Sequence, residues 1–164
     1  MQTTPSQAAA QADLLAFLQN YNEYLHEVLN AQNEKLEALL SHEVELIEKS
    51  AVQQQSMTLK MQNLEEQRAK LQVEAGWEGL TFREIEQVAP SNQRQAYQQC
   101  REEMDRLLEQ IQFLNGKAMH LVETDLKVID LSMPLQGRLE SQGYTEDGKQ
   151  REAADQVSLL DSKI

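Results

Sequence analysis

The sequence is poor in the residues that close loops and build compact cores. Its 164 residues include one cysteine, six glycines, three prolines and only 5% aromatic residues. A single cysteine, Cys100, excludes an internal disulfide and is typical of a reducing compartment. Little glycine, proline or aromatic content, together with abundant glutamine, indicates long helices with a narrow apolar seam. The length corresponds to one domain, or to one domain with a tail.

Long apolar runs and an excess of positive charge are also missing. No apolar stretch approaches the roughly 18 residues that a transmembrane helix needs. The first residues, MQTTPSQAAAQ, lack the charged and apolar regions of a secretory signal. We therefore expect no membrane insertion and a cytoplasmic location. The net charge of -12 would repel nucleic acid and anionic membrane surfaces, so neither is an expected partner.

Helical periodicity covers most of the chain. Pro5 and Ser6 open a first helix, and its apolar residues recur at spacings of four and three. These residues are Leu14, Leu18, Tyr21, Leu25 and Val28. Two acidic residues soon after Ser41 are typical of a first helical turn, which predicts a tight turn near Ser41. One unbroken helix from Ser6 to Ala75 is the alternative.

The second helix is expected to run to about Ala75, and Gly76 has the position of a glycine that ends a helix. Its apolar positions are Val44, Ile47, Ala51, Met61, Leu64 and Leu71. Next, Thr81 and Glu84 have the spacing of a capping box, which predicts a short helix from Phe82 to Val88. We expect Trp77 to pack with Leu80 and Phe82 at the open end of a bundle.

The last predicted helix, Ser91 to Met133, carries two apolar lines. The first consists of Tyr97, Met104, Leu107, Leu108, Ile111, Leu114, Ala118, Leu121 and Val128. The second consists of Met119, Val122, Leu126, Ile129 and Met133. One apolar stripe is enough to join a bundle. The second line is therefore either buried in the same bundle or a docking face for another chain.

These patterns predict an all-α fold, an elongated antiparallel bundle of three to four helices. Pro134 and Gly137 are expected to end the last helix, which places the bundle domain at residues 1–138. Residues 139–164 are expected to form a flexible, mostly disordered tail, because the stretch after Gly143 is polar. The last apolar residues of the tail could dock on the bundle or on a partner.

The sequence contains no recognisable catalytic constellation. Glu23 and His26 form an E-x-x-H pair, but a ferritin-like metal site needs a second such pair and two further glutamates. Neither His42 nor His120 has a glutamate three residues before it. There is also no glycine-rich phosphate loop and no G-x-S-x-G motif. We therefore expect no enzymatic activity, no metal and no cofactor.

Several short motifs resemble the FlgN family of bacterial flagellar export chaperones. They are Glu34-Lys-Leu-Glu-Ala-Leu39, Leu64-Glu-Glu-Gln-Arg-Ala-Lys-Leu71 followed by Gly76 and Leu80-Thr81-x-x-Glu84, Asn115, and Gly143-Tyr144-Thr-Glu-Asp-Gly148. The similarity spans roughly residues 10 to 150, and the order and spacing of the motifs are more specific than any one of them. The stretch after Lys149 does not take part in it.

This resemblance implies a function and assigns separate roles to different parts of the chain. FlgN-like proteins bind the C-terminal segments of the hook-filament junction proteins FlgK and FlgL, keep them unpolymerised and bring them to the flagellar export gate. The resemblance implies that Tyr144 contacts the export gate. Client contact is expected on the second apolar line, Met119, Val122, Leu126, Ile129 and Met133. The chain would then be a monomer or a weak dimer. The alternative is a structural coiled-coil protein without a client, in which this line closes a homodimer.

Overall fold

The computed structural model describes the backbone of residues 5–141 and the side chains of residues 5–134. Four helices form this part of the chain, and it contains no strand: α1 (Pro5–Ser41), α2 (Val44–Glu74), α3 (Phe82–Val88) and α4 (Ser91–Ser141). The all-α prediction is confirmed. Two compact units divide the chain, Met1–Thr124 and Asp125–Ile164. Tyr144 and the apolar residues near the C-terminus lie outside the described residues.

A tight turn joins α1 to α2, as the sequence predicts. The Ser41 hydroxyl donates to the Ala38 carbonyl at 2.7 Å and accepts from the Glu43 backbone N–H at 3.1 Å. Between them His42 adopts a left-handed conformation with φ of 57°, which reverses the chain in two residues. The alternative of one unbroken helix up to Ala75 is therefore wrong.

The first unit is an up-down-up bundle whose centre is α1. All five predicted seam residues of α1 are buried: Leu14, Leu18, Tyr21, Leu25 and Val28. The antiparallel helix α2 is tied to α1 through the Tyr24 hydroxyl, which donates to the Met57 carbonyl at 3.1 Å. The parallel helix α4 is tied to α1 through the Asn22 amide, which donates to the Cys100 carbonyl at 2.9 Å.

The connector after α2 is fixed by backbone and side-chain hydrogen bonds. The Trp77 N–H donates to the Gln72 carbonyl and the Gly76 N–H to the Val73 carbonyl, both at 2.9 Å. These two bonds form a Schellman motif, in which Gly76 has a φ of +76°. The side chain of Gln72 donates to the carbonyls of Trp77 at 2.8 Å and Leu80 at 2.7 Å. Gly76 therefore ends α2 as predicted.

The capping box at the start of α3 is present. The Thr81 hydroxyl accepts from the Glu84 N–H at 3.3 Å, and the Thr81 N–H donates to the Glu84 carboxylate at 2.7 Å. Trp77 is buried edge-on against Tyr97 with ring centres 5.6 Å apart, and Leu80 and Phe82 pack on the same cluster. The expected plug at this end of the bundle is confirmed.

The predicted end of α4 needs correction. The helix α4 does not stop at Met133 but continues through Pro134 to Ser141. Proline removes one backbone donor, and the Asp130 carbonyl that loses it lies in an exposed stretch where water can replace the bond. The apolar positions Val44 and Ala51 of α2 are exposed.

Candidate functional site

The distal part of α4 exposes most of its large apolar residues. Leu126, Ile129 and Met133, which belong to the predicted client-binding line, are 56%, 48% and 65% exposed. On other sides of the same helix Val128 and Leu131 are also exposed. Neighbouring polar residues such as Asp125 and Lys127 do not hide these side chains. A helix with this much apolar surface in water is a candidate binding surface.

Met119 and Val122, the other two residues of the predicted line, lie in the first unit. They are 58% and 39% exposed. Both line a groove of about 350 Å³ between the end of α1, the start of α2 and α4. We call it the α1–α2–α4 groove, and its lining residues are Lys35, Leu39, Ile47, Ser50, Ala51, Ala118, Met119, Val122 and Glu123. This volume is in the range of ligand-binding clefts.

Small residues create the depression. Ser50 and Ala51 on α2 lie at the same level as Ala118 on α4, so the helices expose a gap there that larger side chains would close. Leu39 and Ile47 flank the α1–α2 turn and give the groove apolar walls. The local sequence thus builds a cleft rather than a flat helix surface.

Two polar groups of the groove have unusual surroundings. The Lys35 ammonium donates to the Asn115 Oδ1 at 2.7 Å, and burial lowers the pKa of Lys35 from its ordinary value. Among the ion pairs of the described residues none involves Lys35. Ser50 is only 6% exposed, and its hydroxyl has no hydrogen-bond partner within residues 5–134.

The residues considered for metal binding are used differently. The His26 Nε2 lies 2.9 Å from the Glu103 carboxylate, so this histidine bridges α1 to α4 at the surface. The described part of the chain holds no group of three or more His, Cys, Asp or Glu side chains that could bind a metal ion. Cys100 is buried, and burial raises the pKa of its thiol to about 11. A thiol in that state is a poor nucleophile at neutral pH.

Two residues of the motifs that resemble the FlgN family meet across the bundle. Lys35 of the first motif and Asn115 of α4 form the 2.7 Å hydrogen bond described above. Arg68 of the second motif forms an ion pair with Glu65 at 3.0 Å and donates to Gln72, the residue that holds the connector. Lys35 and Asn115 therefore tie α1 to α4 beside the groove, whereas Arg68 supports the connector at the other end of α2.

None of the helices α1 to α4 is apolar enough over a sufficient length to cross a bilayer. The chain matches no protein-family model, no curated protein and no solved structure. The similarity to the FlgN family therefore stays a prediction from the residues themselves.

Sequence periodicity identifies the apolar side chains of α4 but not the groove. Its polar groups Lys35 and Ser50 stand alone in the sequence, 15 positions apart and on different helices. Both residues line one groove only because α1, α2 and α4 pack next to each other there. The local sequence indicates the groove only through the two adjacent small residues Ser50 and Ala51, whose neighbours on α2 mostly have longer side chains.

Proposed function

We propose that this protein is a cytoplasmic chaperone of flagellar type III export. It binds the C-terminal segments of the junction proteins FlgK and FlgL, keeps them unpolymerised and delivers them to the export gate. The observation that carries the proposal is the exposure of Met119, Val122, Leu126, Ile129 and Met133 on α4, between 39% and 65%. The motif resemblance supplies the identity of the client.

The exposed side chains supply part of the binding free energy of a reversible complex. Burying a Leu, Ile or Met completely is worth about 1.5 to 3 kcal/mol, so side chains that are half exposed contribute about 1 kcal/mol each. Five of them contribute about 5 kcal/mol before the cost of ordering the client is subtracted. Further contacts must bring the total to the roughly 8 kcal/mol of a micromolar complex. Flexible methionines suit a surface that serves two clients.

The proposal is tested by mixing the chain with C-terminal fragments of FlgK and FlgL and measuring binding by titration. The double variant Leu126→Asp with Ile129→Asp should weaken binding at least about 30-fold, because two apolar contacts are lost and two carboxylates are desolvated. Since both side chains are exposed, circular dichroism should show unchanged helix content.

The matched control is Val128→Asp with Leu131→Asp. It makes the same chemical change at the same spacing on the same helix, about 200° around the helix axis from the first pair. Val128 and Leu131 are also exposed, so this variant should fold and should bind the fragments normally. Equal loss in both variants would show that charge on α4, rather than this face, determines binding.

Self-association is the competing outcome. If the fragments do not bind and sedimentation at micromolar concentration shows a stable dimer that Leu126→Asp disrupts, the chain is a structural coiled-coil protein. Apolar binding also predicts little change in affinity between low and high salt. A steep loss of affinity with salt would contradict the proposed mode.

The resemblance further leads us to propose that Tyr144 contacts the export gate. The variant Tyr144→Ala should leave the affinity for the FlgK and FlgL fragments unchanged and should lower the secretion of both clients. Tyr144→Phe is the control that keeps the ring. Loss of client affinity in Tyr144→Ala would contradict the separation of the two roles.

A further inference from the structure

The α1–α2–α4 groove has polar features that the apolar line on α4 does not explain. We propose that it binds an amphipathic helical segment of the client and that Lys35 and Ser50 select a segment with an acidic side chain beside its apolar ones. This inference rests on the proposed function and assigns a specificity-determining role to two residues of the groove.

Lys35 is a cation without a carboxylate partner among the residues that the structure describes. The chain carries 27 acidic and 15 basic residues, so there are more than enough carboxylates to pair with every lysine and arginine. Instead the Lys35 ammonium is held by a neutral amide, Asn115 Oδ1, at 2.7 Å. Within the described ion pairs it has no carboxylate. A partly buried, fixed cation next to apolar walls is complementary to an incoming carboxylate.

Ser50 is the second, independent observation. Ser50 lines the groove, and its hydroxyl is almost completely buried and lacks a partner in the described chain. A serine inside a helix commonly bonds the carbonyl four residues before it, but the Ser50 hydroxyl does not. A ligand that brings a polar atom into the groove would give this hydroxyl the missing hydrogen bond.

Glu123 sets the direction of the occupant. It lies on α4 at the edge of the same groove and would repel an acidic side chain there. The acid of the client must therefore lie on the α1 side, next to Lys35, and a basic side chain is favoured next to Glu123. Apolar side chains of the client then meet Leu39, Ile47 and Val122 between these two charges. The groove is thus complementary to one orientation of the segment.

The test uses labelled FlgK and FlgL C-terminal fragments and fluorescence anisotropy with the full chain. Lys35→Met keeps the length of the side chain and removes its charge, and it should weaken binding about tenfold. Lys35→Arg should retain affinity. The control Lys70→Met, at an exposed position of α2 outside the groove, should change the affinity less than about twofold. Ser50→Ala should weaken binding by about threefold to tenfold.

A second pair of variants tests occupancy without altering charge. Ala51 is exposed and lines the groove, so Ala51→Leu fills it and should weaken binding by at least about tenfold. Ala69→Leu is the matched control on an exposed part of the same helix. Thermal melts of every variant establish that the bundle is folded. Replacing the acidic residues of the fragments with glutamine one at a time should remove the effect of Lys35→Met at one position.

The outcomes separate the two claims. Fragments that bind the wild type but bind Lys35→Met, Ser50→Ala and Ala51→Leu equally well overturn the groove assignment and leave the chaperone proposal intact. Fragments that do not bind the wild type overturn both. A dimer that Ala51→Leu dissociates identifies a second copy as the occupant. Tighter fragment binding after removal of residues 142–164 identifies the chain's own tail. Either of these results also overturns the inference.

Discussion

Gln72 is the side chain whose replacement should have the clearest effect on folding. It is buried, and its amide donates to the carbonyls of Trp77 at 2.8 Å and Leu80 at 2.7 Å while it accepts from Arg68. The variant Gln72→Leu keeps the volume and leaves two backbone carbonyls without this donor. At about 1 to 2 kcal/mol for each group, the free energy of unfolding should fall by about 2 to 4 kcal/mol. For a chain of this length that corresponds to a decrease in Tm of roughly 5 to 15 °C.

Urea unfolding followed by the fluorescence of Trp77, the single tryptophan, measures this effect at the connector itself. Gln67→Leu is the control, because it makes the same change at an exposed position five residues earlier on α2. It should alter stability by less than about 0.5 kcal/mol. Equal stability of Gln72→Leu and wild type would refute the reasoning that this one amide fixes the connector. Below the unfolding transition, Gln72→Leu should still bind the FlgK and FlgL fragments, since it lies far from the residues proposed to bind them.

Further predictions concern the turn, the thiol and the capping box. Because His42 has a positive φ, the β-branched variant His42→Val should lower the free energy of unfolding by about 1 to 2 kcal/mol in urea melts, and by more than His42→Gly, which adopts this conformation without strain. Burial raises the pKa of the Cys100 thiol from 9.0 to about 11, so its stabilising contribution is complete below pH 9 and is lost as the pH rises towards 11. The urea midpoint of wild type should therefore fall more steeply over this range than that of Cys100→Ala. Hydrogen bonds from Thr81 lower the pKa of Glu84, so its contribution is present above the ordinary pKa of the carboxyl and is lost in acid. Acid melts of Glu84→Gln should accordingly show a weaker dependence on pH than those of wild type.

Local patterns in the sequence were sufficient to predict most of the helix boundaries. The capping box at Thr81, the glycine after α2 and the turn near Ser41 each rest on contacts within a few residues, and the structure contains all three. The end of α4 was wrong because Pro134 lies in an exposed helix, where solvent lowers the cost of a missing hydrogen bond. Along α2, periodicity identifies an apolar face but not how much of it a neighbouring helix covers, and Val44 and Ala51 are exposed.

The candidate site was likewise only partly predictable from the sequence. Periodicity alone picked out Met119, Val122, Leu126, Ile129 and Met133, and the choice between internal burial and exposure needed the packing of the other helices. The pairing of Lys35 with Asn115 joins positions 80 residues apart and has no local signature. The missing hydrogen-bond partner of the Ser50 hydroxyl likewise depends on the packing of the bundle. The local sequence does not distinguish a buried serine from an exposed one.

The polar residues inside the α1 seam have a consequence for the alignment of the helices. A narrow aliphatic seam repeats every seven residues, so two such helices could slide past each other by one repeat at little cost. Here Gln32 bonds to Gln54 at 2.8 Å, Tyr21 to Glu65 at 3.1 Å and Gln11 to the Ala75 carbonyl at 3.4 Å. Each bond exists in one register only, and a slipped pair would leave the buried side chains of Gln11, Tyr21 and Gln32 without these partners. The amide oxygens of Gln11 and Gln32 already lack partners in the described chain, so the bundle gives up some stability for a single alignment.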